Sequence, residues 1–302
     1  MKVYVADEAG FCFGVKRALE LLERLHETGQ NIQVYGQLIH NRGVLKNLQA
    51  RGIGTIGALT DFTPGSTLVI RTHGLPREAE TDLKNEGIAY LDATCPFVKK
   101  IHRVIESIDR PGNQVIIVGD KQHPEVMAAQ SYATGALVID SLKEAQALPA
   151  RTFHTISVVA QTTLNFDHFK EIVAALLEKA EKIEVFNTIC GATRERQEAI
   201  KRLAPRVDFV LVIGDKASSN TRKLFEVARE KNPHTFLIEG RGDLDDTGFL
   251  KKIGHFRSVG ITAGASTPPE EVARVKEFLK KFNIENREKE LKYGRRKRKP
   301  QH

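Results

Sequence analysis

Three cysteines occur in the 302-residue chain, and all three sit in versions of one setting. Cys12 lies in Gly10-Phe11-Cys12-Phe13-Gly14-Val15-Lys16-Arg17 and Cys95 in Asp92-Ala93-Thr94-Cys95-Pro96-Phe97-Val98-Lys99-Lys100. Cys190 lies in Asn187-Thr188-Ile189-Cys190-Gly191-Ala192-Thr193-Arg194. Each follows a strand-like run, opens a helix-like run and has a basic residue four places on: Lys16, Lys99 and Arg194. A lone cysteine usually packs as a small hydrophobe. Three at equivalent positions of an internal repeat of about ninety residues point to a shared metal instead. The positive ends of the helices and the nearby Lys or Arg should favour thiolate over thiol. Three thiolates could hold zinc with a histidine as fourth ligand, or three irons of a 4Fe–4S cluster. The chain has no local Cys-x-x-Cys pair, so spacing does not choose between these metals. A cluster with three cysteine ligands would leave one iron open to a substrate oxygen.

The repeat continues past the thiols. Each cysteine is followed, 24 residues on, by a glycine that ends an apolar run: Gly36, Gly119 and Gly214. Four residues beyond each glycine stands a polar side chain: His40, His123 and Ser218. A second set of polar turns follows later in each repeat. These are Arg71-Thr72-His73-Gly74, Ala160-Gln161-Thr162-Thr163 and Thr262-Ala263-Gly264-Ala265-Ser266. His40, His73, His123, Ser218, Ser219, Asn220 and Ser266 therefore fall at strand ends beside glycines and helix starts, where backbone N–H groups collect anions. At about 1.5–3 kcal/mol for each hydrogen bond to a charged group, such a ring suits a diphosphate. Glu125, two residues after His123, opens a helix; alone it reads as a partner of the helix dipole, but beside a metal and an anion it reads as a general acid. The hydroxyl of Thr162 could hold a substrate hydroxyl and relay a proton.

Alternating strand-like and helix-like runs must position these residues. Lys2–Ala6, Ile32–Tyr35, Thr67–Arg71 and Ala89–Leu91 read as strands of the first repeat. Val15, Ala18, Leu19 and Leu22 make a helical stripe, and helices are expected over Val44–Gln49 and Arg77–Asn85. In the second repeat Val98, Ile101, His102 and Ile105 form the same stripe. Strands follow at Val115–Val118, Leu137–Ile139 and Ile156–Val159, with helices at Glu125–Gln130 and Phe166–Lys179. The third has strands at Ile183–Phe186, Phe209–Ile213, Phe236–Leu237 and Ser258–Ile261, and helices at Arg194–Leu203, Thr221–Glu230 and Pro269–Phe282. Such alternation predicts an α/β fold with mainly parallel sheets, in three pseudo-repeated lobes around a shared central site. The expected segments are 1–94 with Cys12, 95–189 with Cys95, 190–282 with Cys190, and a basic, disordered tail over 283–302. Ligands of parallel sheets bind beyond the carboxyl ends of the strands, where all the polar turns fall.

Composition excludes several classes. Apolar content of 41% and charged content of 28% are ordinary for a globular protein. No apolar run approaches the roughly eighteen residues of a membrane span. Three cysteines are too few, and odd in number, for a secreted disulfide framework. A cytoplasmic protein is expected. The net charge of +8 is concentrated at the C-terminus, where residues 285–302 hold eight Lys/Arg against three Glu. Without aromatic–basic interleaving in the body, nucleic acid is not expected as the main partner.

With these residues laid out, the chain resembles the 4-hydroxy-3-methylbut-2-enyl diphosphate reductase family, the terminal enzymes of the non-mevalonate isoprenoid pathway. Gly10-Phe11-Cys12, His40-Asn41, His73-Gly74, Asp92-Ala93-Thr94-Cys95-Pro96, His123-Pro124-Glu125, Gln161-Thr162-Thr163, Thr188-Ile189-Cys190, Ser218-Ser219-Asn220 and Thr262-Ala263-Gly264-Ala265-Ser266 occur in family order. The resemblance spans about residues 1–282. It implies a 4Fe–4S cluster on Cys12, Cys95 and Cys190, and a substrate diphosphate bound by His40, His73, His123, Ser218, Ser219, Asn220 and Ser266. It further implies that Thr162 contacts the substrate hydroxyl, that Glu125 donates the proton, and that an electron-donor protein of ferredoxin or flavodoxin type serves the reaction. The activity implied is reductive removal of an allylic hydroxyl, giving isopentenyl and dimethylallyl diphosphates. From the residues alone two other readings stand beside it. One is a zinc hydrolase of a phosphorylated substrate, with the cysteines and one histidine as ligands. The other is a non-catalytic iron–sulfur sensor whose basic tail binds nucleic acid.

Overall fold

The computed structural model describes the backbone of residues 1–296 and the side chains of residues 1–282. In chain order the elements are β1 (Lys2–Val5), α1 (Phe13–Glu27), β2 (Ile32–Tyr35), α2 (Arg42–Ala50), β3 (Gly54–Ile56), β4 (Thr67–Ile70), α3 (Arg77–Asn85), β5 (Tyr90–Asp92) and α4 (Pro96–Ile108). There follow β6 (Asn113–Val118), α5 (Pro124–Gln130), β7 (Leu137–Ile139), α6 (Leu142–Ala147), β8 (Phe153–Ala160), α7 (Phe166–Leu176), β9 (Ala180–Phe186) and α8 (Gly191–Leu203). The rest are β10 (Phe209–Ile213), α9 (Ser219–Lys231), β11 (Thr235–Ile238), α10 (Thr247–Ile253), β12 (Ser258–Ala263) and α11 (Pro269–Arg296).

The strands form three four-stranded sheets, every pairing parallel, in the orders β3-β2-β4-β5, β7-β6-β8-β9 and β11-β10-β12-β1. The expected α/β class and the three lobes are what the chain adopts. Parallel strands are covered by helices on both faces and so read as continuous apolar runs; all five residues of β10 are buried. Helix α4 shows how the flanking layer is specified. Pro96 sits at its first position, where its missing N–H costs nothing, and Val98, Ile101, His102, Ile105 and Ile108 make the buried face.

One boundary differs from the sequence expectation. Strand β1, assigned by position to the segment 1–94, pairs instead with β12, in register from Lys2 opposite Ser258 to Val5 opposite Ile261. The outer edge of β12 needs a parallel partner, and the N-terminus supplies it. Two compact units result: one holds Met1–Phe11 and the chain from Glu195 onward, the other Cys12–Arg194 with the first two sheets. Nor does helix α11 stop at Phe282, since it runs on to Arg296. The Glu, Lys and Arg in that stretch of sequence are good intrinsic helix formers. The remainder of that tail, 297–302, lies outside the described residues. Among the described residues no helix is long and apolar enough to cross a membrane.

Candidate active site

Within the unit Cys12–Arg194 the cysteines take the places that the repeat predicts. Cys12 and Cys95 are the N-caps of α1 and α4, and Cys190 precedes α8. The Cys95 N–H donates to the Thr72 carbonyl, and the Cys190 N–H to the Thr162 carbonyl, both at 3.0 Å. Each thiol is thereby tied to the polar turn that ends a neighbouring strand. Among the described residues none of the three forms a disulfide. Gly14 marks how closely they are approached: a Cβ there would lie 2.7 Å from the Cys95 Sγ and 3.9 Å from the Cys12 Sγ. Arg17, one turn into α1, donates to the carbonyls of Thr94 (3.1 Å) and Asp92 (3.3 Å) and so fastens the first cysteine helix to the second cysteine turn.

Thiolate formation at Cys95 is not favoured, contrary to the sequence expectation. Burial pushes its pKa up to about 11, and the charges of Cys12 and Cys190 add to the rise, against hydrogen bonds from the backbone N–H groups of Phe97 and Val98. Lys99 does not help as expected, because its Nζ is held by the Asp92 carboxylate at 2.5 Å. The charges of Cys12 and Cys190 both reach Cys95, and the Cys12 and Cys95 sulfurs close on the position that a Gly14 Cβ would take.

His40, His73 and His123 come together in the same unit. Their ring centroids are 4.6 Å (His40–His73), 5.2 Å (His40–His123) and 5.2 Å (His73–His123) apart, and one ligand atom from each lies within 4.8 Å of the others. His123 caps α5, its Nδ1 accepting the Glu125 N–H at 3.2 Å, so the neutral ring carries its proton on Nε2. His73 is held well below the ordinary histidine range by burial, and further by His40, His123 and Arg71. Its buried Nδ1 has no hydrogen-bond partner among the described residues. An anion would satisfy that nitrogen and restore the proton. Among the described residues no cysteine joins this histidine group. Ligands of one tetrahedral zinc lie within ~4 Å of each other, so the mixed cysteine–histidine site of a zinc hydrolase finds no support.

Glu125 is 2% exposed. Its Oε1 accepts the Thr162 N–H and its Oε2 the Thr162 hydroxyl, both at 2.7 Å. Burial raises its pKa, and the two bonds from Thr162 offset only part of the rise. The carboxyl therefore holds its proton to higher pH than an exposed glutamate, as a general acid needs.

The other unit assembles a second polar group. Registration of Ile213 with Ala263 sets the turn after β10 beside the turn after β12. The Gly264 N–H donates to the Ile213 carbonyl at 2.9 Å. Ser218 caps α9, with Ser219 and Asn220 in its first turn, and all three are buried, as is Ser266. The buried Nδ2 of Asn220 has no partner among the described residues. A Cβ on Gly264 would fall 2.1 Å from the Thr221 hydroxyl, so only glycine permits this packing.

Some neighbours of these residues were not anticipated as functional. Gln161 accepts the Asp120 N–H at 3.0 Å while its buried Nε2 has no partner among the described residues. His102 lies 2.9 Å from where a Gly74 Cβ would be, directly behind the His73 turn. Gln161 was visible in its motif, whereas His102 falls in an apolar helix stripe and reads there as core.

Residues 3–280 match the family model described as LytB protein. The chain is 37% identical over 285 residues, 94% of its length and all of the relative's, to the 4-hydroxy-3-methylbut-2-enyl diphosphate reductase of a Nitratiruptor species. A solved structure of (E)-4-hydroxy-3-methyl-but-2-enyl diphosphate reductase, described as the terminal enzyme of the non-mevalonate pathway, is 38% identical, with 93% of this chain and 100% of that one covered and a TM-score of 0.66. The structure of the E-1-hydroxy-2-methyl-but-2-enyl-4-diphosphate reductase from Plasmodium falciparum is 30% identical, covering 93% of this chain and 89% of that one, with a TM-score of 0.87.

Proposed function

The chain belongs to the LytB protein family, and on that premise we propose that it reductively dehydroxylates 4-hydroxy-3-methylbut-2-enyl diphosphate to isopentenyl and dimethylallyl diphosphates. The observation that carries the chemistry is the link Glu125–Thr162–Cys190. A buried carboxyl with a raised pKa grips both the N–H and the hydroxyl of Thr162, whose carbonyl accepts the Cys190 N–H. A proton store is thus one residue away from a cysteine of the metal-binding set.

Cys12, Cys95 and Cys190 would hold a 4Fe–4S cluster, and the close packing of the Cys12 and Cys95 sulfurs on Gly14, with no disulfide among the three, fits that role. Bound there, the cluster supplies electrons and Lewis acidity at an iron without a protein ligand. His40, His73 and His123 bind diphosphate oxygens, with His123 donating from Nε2. Ser218, Ser219, Asn220 and Ser266 are a second diphosphate-binding set, with the Nδ2 of Asn220 as a donor. The Thr162 hydroxyl receives the substrate hydroxyl and passes it a proton from Glu125, so that oxygen leaves as water. Each turnover consumes two electrons and two protons, and the electrons come from a carrier protein of ferredoxin or flavodoxin type.

The test is anaerobic purification and reconstitution, followed by iron and sulfide analysis, Mössbauer spectroscopy and turnover with dithionite-reduced methyl viologen. A protein with one distinct iron site that forms both products supports the reading. Zinc without sulfide after reconstitution, or no turnover by loaded protein, refutes it.

A further inference from the structure

A reductase regenerates its own side chains at every turnover, so the two electrons must arrive from outside, at the cysteine-bearing end of the unit Cys12–Arg194. Two large apolar side chains stand exposed there: Phe13, beside Cys12, is 61% exposed, and Phe97, two residues past Cys95, is 40% exposed. Single exposed hydrophobes are ordinary. These two belong to the first turns of α1 and α4, which adjoin through Arg17 and through the packing of Gly14 on the Cys95 sulfur. Exposed aromatics on adjoining helix starts, beside the cysteines, fit an interaction surface.

The charges around them have one sign. Lys16, Lys100 and Arg103 are exposed in the same stretches of α1 and α4, and none makes an ion pair among the described residues. The acids of these helices and of the Cys95 turn are already engaged, except Glu27 in the last turn of α1, at the end of that helix away from Cys12. Asp92 binds Lys99, Glu20 faces Arg24, Glu23 chelates Arg51, and Glu106 faces Arg77. The rim of the cysteine site is therefore apolar at its centre and positive without compensation around it.

We propose that Phe13, Lys16, Phe97, Lys100 and Arg103 form the docking face for a small acidic protein that carries one electron at a time. This rests on the reductase reading above. Two encounters serve each turnover: two carriers are oxidised by one electron each, the allylic C–O bond breaks, one proton joins the departing hydroxyl to make water, and a second proton forms the new C–H bond on the allylic carbon. The positive rim steers the acidic carrier to the site, and the aromatics exclude water at contact. Such redox encounters use small, transient interfaces whose on-rates depend on salt.

The test uses anaerobically reconstituted holoenzyme with two reductants, reduced methyl viologen and a reduced acidic [2Fe–2S] ferredoxin, with an acidic flavodoxin as second carrier. The charge reversal K100E/R103E should lower kcat/KM for the ferredoxin about tenfold in low salt, and the difference should shrink as salt screens it. Phe97→Ser should lower it by about fivefold at any salt. With methyl viologen both variants should stay within about twofold of wild type, because the small dye needs no docking face. Unchanged ferredoxin kinetics in both variants, equal losses with both reductants, or a wild type driven by viologen but by neither carrier would overturn the proposal. A wild type inert with every reductant would sink the reductase reading itself, so the two failures can be told apart.

Discussion

Gly14→Ala tests the claim that Cys12 and Cys95 line one tightly packed site. In the middle of a helix, replacing Gly by Ala normally stabilises by about 0.8–1 kcal/mol, and Gly14 lies in the first turn of α1. Here the new methyl group would lie 2.7 Å from the Cys95 Sγ and 3.3 Å from its Cβ. Carbon and sulfur need roughly 3.5 Å or more, so one partner must move by about 1 Å. Cys95 is poorly placed to yield. Its N–H is bonded to Thr72, Arg17 grips the carbonyl of Thr94, and Pro96 follows directly. Overpacking of this kind costs about 1–3 kcal/mol, which cancels the helix gain and leaves the apoprotein up to about 2 kcal/mol less stable. The loss of metal should be larger than the loss of stability, because the thiol must turn away from its partners. Thermal melting of the apoprotein and iron and sulfide content after anaerobic reconstitution measure the two effects separately. A variant that loads iron and sulfide fully and melts at or above the wild-type temperature would show that Gly14 does not line a shared sulfur site.

Other substitutions separate the remaining roles. Glu125→Gln should keep iron content and substrate binding while turnover falls by about 10²–10⁴, and a near-normal rate would remove Glu125 from proton donation. Because burial raises the folded pKa of Glu125, its contribution to stability is full below the ordinary carboxylate range and is lost as pH rises through the raised value; the Gln variant should lack this fall in denaturation curves across that window. His102 behaves oppositely. Its folded pKa is lowered from 6.5 to about 4, first by burial, so stability present above pH 6.5 should drain as pH falls toward 4, by up to ~3 kcal/mol. His102→Phe should flatten that acid limb in urea titrations, and an unchanged slope would remove His102 as its cause. His123→Ala and Asn220→Ala should each raise KM for the diphosphate substrate about tenfold at unchanged iron content; lowered iron with unaltered KM would contradict their role as anion ligands.

The sequence revealed the repeat, and with it the fold class, because each thiol, glycine and polar turn recurs at near-constant spacing. The long amphipathic helices and the β-branched central strands were legible for the same reason: their periodicity extends over many residues. What escaped was short or depended on contacts far along the chain. Strand β3, helix α6 and helix α10 span three, six and seven residues, too few for a period to show. The partnership of β1 with β12 joins residues at opposite ends of the chain, and no local pattern encodes it. The raised pKa of Cys95 also could not be read, since sequence shows Lys99 four residues away but not that Asp92 has claimed it. Likewise His102 sits in an apolar stripe, and only the turn at Gly74 gives its position meaning.

That distant pairing also explains why a three-fold repeat can place three thiols alike. In the first two sheets the edge strand, β5 or β9, leads directly to the next cysteine turn, at Cys95 or Cys190. A linear chain would give its third sheet no such successor, and its first cysteine no preceding edge strand. Strand β1 resolves both ends at once. It fills the edge position beside β12 and then leads into Cys12, so each cysteine follows the fourth strand of a parallel sheet. Equivalent chain paths give the cysteine turns equivalent backbone bonds where these can be compared within one unit: Cys95 N–H to the turn of His73, and Cys190 N–H to the turn of Thr162. Strand β1 thus gives Cys12 the same preceding edge strand that Cys95 and Cys190 have, and the copies then differ in the side chains of their turns, histidine in one and threonine in the next.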